Sequence, residues 1–187
     1  MANAHWRTAL KPALTAVEMV LKAHEPYPAI AVDKGWNMVL ANAAIAPLLK
    51  GVEEPALLSP PVNVLRLSLH PKGLAPFIAN FDEWRTHLIE RLRIQIDATA
   101  DPALETLEKE LSAYPGRPRA NPQPYDVAAN IAVPLRLRID GELLSFISTI
   151  TVFGTPLDAT LSELAVESFF PADGETGEIL RRLTARS

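Results

Sequence analysis

The sequence predicts an α+β fold, a five-stranded antiparallel sheet with helices packed on one face and a helical arm in front. Three observations carry this. The stretch 131–154 reads as two long strand-like arms on either side of Asp140-Gly141. Two amphipathic helical stretches fill the middle of the chain, 81–98 and 101–111. Short apolar runs precede and follow them, so the order is two strands, helices, then three strands.

The elements are justified in chain order. Pro12 to His24 predicts a first helix, with Pro12 in its first turn and Ala13, Val17, Val20 and Leu21 on one stripe. It makes residues 1–26 an arm ahead of the main domain, 27–187. Ala29–Asp33 and Trp36–Ala41 read as short strands joined by a three-residue loop in which Gly35 takes the left-handed position. Asn42 then caps a short helix that Pro47 disturbs and Gly51 closes. Glu53 to Pro61, with three prolines, is a loop. Asn63 to Leu69 is apolar with one arginine, and His70-Pro71-Lys72-Gly73 ends it.

Phe81 to Ala98 is a helix with Asn80 as cap and Glu83 completing a capping-box variant. Its stripe is Phe81, Trp84, Leu88, Leu92 and Ile96, with Arg85, Arg91 and Arg93 largely outside it. Asp101 caps the next helix, Pro102 opens it, and Leu104, Leu107 and Leu111 form its buried stripe. Tyr114 to Tyr125 holds four prolines and a glycine and reads as a surface loop. In the first arm of the hairpin, Ile131, Val133, Leu135, Leu137 and Ile139 alternate with residues that include Arg136 and Arg138. One face is therefore apolar and the other cationic. Asp-Gly favours a type I′ turn, which needs positive φ at both central residues. Leu161 to Phe170 fits strand or helix by periodicity; its place beside the hairpin favours a strand. Asp173 caps a last helix, Glu175 to Thr184.

Composition bounds the function. A hydrophobic content of 48% with 21% charge excludes a mostly disordered chain. The net charge of -4 supplies no broad basic field for phosphates, so direct nucleic-acid binding is not expected of these residues. The absence of cysteine rules out disulfides and thiol chemistry and fits a cytoplasmic protein. No apolar run approaches the ~18–20 residues of a membrane span, and Met1-Ala2-Asn3-Ala4-His5 lacks a signal-peptide core.

No pattern points to catalysis or a metal. His70 and His87 lack partners at ligand spacing. Ser145, Ser148, Thr149 and Thr151 sit in no nucleophile elbow. Asp158, Glu163, Glu167 and Asp173 read as caps and solvated charge. The aromatics Phe77, Phe81, Trp84, Phe146, Phe153 and Phe169 fall on or beside predicted buried faces. They form either an ordinary core or a core with a hole in it. Ser148 favours the hole. It shares a strand face with Leu144, Phe146, Ile150 and Val152, and a hydroxyl there needs a partner.

Several stretches together carry a resemblance. They are Tyr27-Pro28-Ala29-Ile30-Ala31-Val32-Asp33 with Trp36 and Ala41-Asn42-Ala43-Ala44, then Asn63-Val64-Leu65-Arg66-Leu67, Trp84 with Leu92-Arg93, and Asp101-Pro102 with Leu107 and Glu110-Leu111. From Tyr27 onward the chain is similar to the ligand-binding domain of MmyB-like transcription regulators. In that family the domain follows an XRE-type helix-turn-helix. The resemblance implies a PAS-like fold, a fatty-acid-like ligand between sheet and helices, and control of transcription. DNA contact is expected only through a helix-turn-helix outside this sequence, and a homodimer is expected. No cofactor is implied beyond a bound fatty acid or similar apolar molecule. Face and spacing place Trp84, Leu88, Leu92, Phe146, Ile150 and Phe153 as ligand walls, with Arg66 or Ser148 as anchor. The alternative is a dimerisation module with a fully packed core.

Overall fold

A computed structural model of the chain describes residues 5–116, 133–152 and 164–185, with side chains from residue 14 onward. The elements are α1 (His5–Ala23), β1 (Ala29–Val32), β2 (Met38–Ala41), α2 (Val64–Leu69), α3 (Phe81–Thr99), α4 (Pro102–Ala113), β3 (Leu135–Ile139), β4 (Glu142–Val152), β5 (Ala165–Pro171) and α5 (Gly174–Thr184). Short 3-10 segments, Ala43–Leu49, Pro55–Leu58 and Ala75–Phe77, link β2 to α3. The strands form one antiparallel sheet in the order β2-β1-β5-β4-β3. The last strand thus lies in the middle, between the first strand and the hairpin. This is the α+β, PAS-like architecture that the order of elements predicts.

The hairpin forms as its alternation requires. Ile139 pairs with Glu142, and Asp140 and Gly141 take φ of 50° and 83°, the type I′ turn. Leu137 is buried, while Arg136 and Arg138 turn outward. Residues 131–132, most of the loop Tyr114–Tyr125 and the turn after Val152 lie outside the described residues.

Pairing fixes two faces. Ile30, Glu167 and Ile150 stand abreast across β1, β5 and β4, as do Phe169 and Ser148 one pair along. This inner face meets the 3-10 segments and helices α2, α3 and α5, with α4 packed behind α3. The opposite face of β1 and β5, Ala29, Ala31 and Val166, meets Val17 and Leu21 of α1. The N-terminal arm therefore lies on the outer face of the sheet, and all four residues of β1 are buried. α1 also starts seven residues before Pro12, which falls inside the helix rather than in its first turn. Val20 is exposed; the buried stripe is Val17 and Leu21, flanked by Leu14.

Polar side chains tie these layers together, often in other roles than the sequence predicts. Asn42 makes no helix cap. Its Oδ1 accepts from the Ala29 N–H at 3.1 Å, and its Nδ2 donates to the Leu21 and Tyr27 carbonyls at 3.0 and 2.8 Å. One buried amide thereby joins the end of α1 to β1. Asn80 likewise leaves α3 uncapped. It donates to the Pro134 carbonyl and accepts from the Arg136 N–H, holding the start of α3 against β3. In the β1–β2 loop Trp36, not Gly35, takes positive φ (64°), because Asp33 draws the Gly35 and Asn37 N–H groups onto its carboxylate. Asp101 and Asp173 do cap α4 and α5, and Asn63, for which no such role is expected from the sequence, caps α2; each accepts a backbone N–H at the first turn.

Arg66 holds α2 to α4. Its Nε and Nη2 each donate to Glu110 at 2.8 Å, and Tyr114 donates to the same carboxylate at 2.6 Å. The Arg66 hydrogen bond holds the Glu110 carboxyl below its ordinary range, and burial together with Glu110 pushes Tyr114 up to about 12.

Replacing Asn42 by alanine strands the Ala29 N–H and two carbonyls, so we expect a loss of about 2–4 kcal/mol in urea unfolding. Hydrogen exchange in α1 should rise more than in α4; equal change in both would contradict the proposed tie. Glu110→Gln should cost under ~1 kcal/mol at pH 7, since both partners are partly exposed. The wild-type advantage is full above the ordinary carboxylate pKa and fades as pH falls through the depressed value of Glu110, which stability curves at pH 7 and pH 3 measure.

Candidate functional site: a cavity under helix α3

The inner face of the sheet is not closed completely by the layer above it. A cavity of about 90 Å³ lies between them. Trp84 and Leu88 of α3 form its roof with Val64, Leu65 and Ser68 of α2. Its floor is Ile30, Leu137, Phe146 and Phe169, and Met38, Ile45, Leu48 and Leu49 close one side. Helical spacing brings Trp84 and Leu88 onto one stripe, and strand alternation brings Phe146 and Phe169 onto one face. Their rings meet edge-on at 6.1 Å. The Trp84 indole N–H donates to Ser68 Oγ at 3.0 Å, so the polar edge of the roof is satisfied.

Three of the sequence-predicted wall residues, Trp84, Leu88 and Phe146, thus meet around one space. The others are placed differently. Leu92 is fully buried in the main core but does not line the cavity. Ile150 shares the inner face but is 47% exposed, because β4 runs on past the helical layer. Ser148 is half-buried beside Phe169 and does not border the cavity. Arg66 turns away from it toward Glu110. Phe153 lies outside the described residues.

The structure corrects two sequence expectations: Glu167 is not a cap or a solvated charge, and Arg91 does not lie outside the buried side of α3. Glu167 sits on the central strand, facing inward, and is only 5% exposed. Arg91 Nη1 donates to its Oε1 at 3.3 Å, and the guanidinium stacks 4.9 Å from the Trp36 ring. Trp36 in turn donates to Gln95 Oε1 at 2.7 Å, and Gln95 donates to the Lys34 carbonyl. The signal was present in the spacing. Arg91 stands seven residues after Trp84, two helical turns along the same stripe, and Glu167 alternates in phase with Ala165 and Phe169.

Glu167 and Trp36 also border a second space of about 260 Å³, lined further by Arg91, Gln95, Ile150 and Val152. An apolar chamber and a more polar one therefore share a wall that carries an ion pair. His87 lies one turn before Arg91, with its ring 5.6 Å from Trp84. Burial, and then the Arg91 charge, hold its imidazole below the ordinary value, so it is neutral at pH 7.

Among the described residues no group of three His, Asp or Glu side chains is placed to hold a metal ion, and no helix is long and apolar enough to cross a membrane. What the geometry offers is an apolar space with one charged pair at its edge, an arrangement suited to binding.

A search among curated proteins found no match to the chain. A family model does match, over residues 13–183, which include the second half of α1, the whole sheet and every residue around the cavity. The chain belongs to the MmyB-like transcription regulator ligand binding domain family.

Proposed function

We propose that this chain is the sensory part of a helix-turn-helix transcription regulator and binds a small apolar, fatty-acid-like molecule between α3 and the sheet. The observation that carries the reading is the apolar space bounded by Trp84, Leu88 and Phe146 in a ligand-binding domain family. A packed interaction module would have no use for such a gap, because voids in cores cost stability.

Magnitudes limit the ligand. Each methylene moved out of water contributes ~0.8 kcal/mol, so the chain supplies most of the affinity. The space is smaller than the ~150 Å³ dry cavity that admits benzene in a well-known engineered case. A few carbons fit as the walls stand, and a longer tail has to displace them. Met38, Leu48 and Leu49 are suited to yield, since Met adapts its shape readily and the two leucines sit on a 3-10 segment interrupted by Pro47.

The same reading has the chain working as a cytoplasmic homodimer that contacts DNA through a helix-turn-helix outside this sequence. In support, Leu143, Ile147 and Phe170 are exposed together on the outer face of β4 and β5, on the same side of the sheet as α1. We expect Ile147→Lys to lower the dimer fraction in sedimentation at micromolar concentration without changing the melting temperature. Unchanged mass would remove dimerisation through this face.

Mass spectrometry of an organic extract should find a single-chain lipid, or the purified protein should gain thermal stability with C10–C18 single-chain amphiphiles. Leu88→Phe, which fills the space, should weaken that uptake at least ten-fold while leaving the protein folded. An empty extract and no thermal response to any chain length would refute the sensor reading.

A further inference from the structure

The cavity under α3 has to receive the acid end of a fatty-acid-like molecule as well as its chain. Neither Arg66 nor Ser148, the anchors expected from the sequence, borders it. We propose that the Ser68 hydroxyl of α2 is the anchor, donating to the ligand carboxylate while it accepts from the Trp84 indole. This rests on the reading that the cavity takes an apolar ligand, and it fixes where the acid end sits.

Elimination is the first argument. Among the described residues around the cavity, only Ser68, Glu167, Trp36 and Trp84 carry a side-chain nitrogen or oxygen. A carboxylate needs donors. Glu167 accepts from Arg91 and repels a second negative charge. The Trp36 N–H is given to Gln95 at 2.7 Å and the Trp84 N–H to Ser68 at 3.0 Å. The Ser68 hydroxyl remains. It holds one hydrogen and two lone pairs. One lone pair takes the Trp84 N–H, and among the described residues no acceptor meets the hydrogen. Thr86, Thr99 and Thr106 bond back to the carbonyl four residues earlier on their helices; Ser68 makes no such bond. The second argument is polarisation. A hydroxyl that accepts from an indole becomes a better donor itself. The third is placement. Ser68 is half-buried whereas Glu167 is 5% exposed. A carboxylate at the α2 edge keeps some contact with water, which lowers the cost of its burial. Its chain then lies over Phe146 and Phe169.

The test titrates decanoate and decylammonium into the full chain at pH 7.5. Trp36 and Trp84 line the cavity, so intrinsic fluorescence reads binding. An ammonium accepts no hydrogen bond and controls for the apolar chain alone. We expect Ser68→Ala to weaken decanoate about ten-fold, the size of one charge-assisted hydrogen bond, and to leave decylammonium unchanged. In the wild-type chain the Trp84 Nε1–H proton resonance should move further downfield with decanoate than with decylammonium, because Oγ accepts more strongly once its own hydrogen is engaged. Equal weakening of both probes in Ser68→Ala, or no weakening of decanoate, would overturn the proposal while leaving the apolar-ligand reading intact. If Ser68→Ala does not fold, an indole shift no larger with decanoate than with decylammonium overturns it instead. Absence of binding by both probes to the wild-type chain would overturn both readings.

Discussion

A carboxylate on the apolar face of the central strand is the constraint around which this domain is built. Glu167 is almost wholly withdrawn from water, so its carboxylate needs a partner there. α3 supplies Arg91, and Trp36 shields the pair from one side. The helix that brings Arg91 also brings Trp84 and Leu88, two turns and one turn earlier on the same stripe. The pair and the cavity roof are consequences of one helix lying along one line across the sheet.

The strand order explains why that line matters. Placing the last strand between β1 and the hairpin puts Glu167 and Phe169 at the middle of the inner face. The outer face of the same strand carries Val166 under α1 and Phe170 beside His24. β5 is therefore shared. Its inward residues edge the cavity, its outward residues meet the N-terminal helix, and His24 bonds the carbonyl of Phe169. Any displacement of β5 by an occupant of the cavity would be felt at α1 through packed contacts and one hydrogen bond. That gives a sensor of this architecture a short physical route from its interior to its N-terminal helix.

Much of this was legible in the residues, and the reasons differ by element. The hairpin, α4 and the caps of α4 and α5 depend on local chemistry: alternation, Asp-Gly, and an acidic residue one step before a helix. Asn42 and Asn80 looked like caps for the same local reason, and the fold used them across layers instead. An amide bonds whichever backbone groups it is brought to, and that choice is made by packing. Trp84, Leu88 and Phe146 were legible as cavity walls because periodicity fixes a face. Arg66, Ser148 and Ile150 were placed on the right elements or faces, but their distance from the cavity depends on where each element ends against its neighbour.

The sequence by itself determined which residues are helical, which alternate, and which face of each element is apolar, since these follow from backbone sterics and a repeat of two or 3.6. It also determined the family, through the order of its motifs. Only the tertiary structure decided that α1 lies on the outer face, that a gap is left under Trp84, and that Glu167 and Arg91 meet at its edge. These three outcomes join residues from 62 to 149 positions apart in number, such as Val17 with Val166 and Trp84 with Phe146. No local preference acts over that separation; the balance between burying apolar surface and pairing a buried charge settles it.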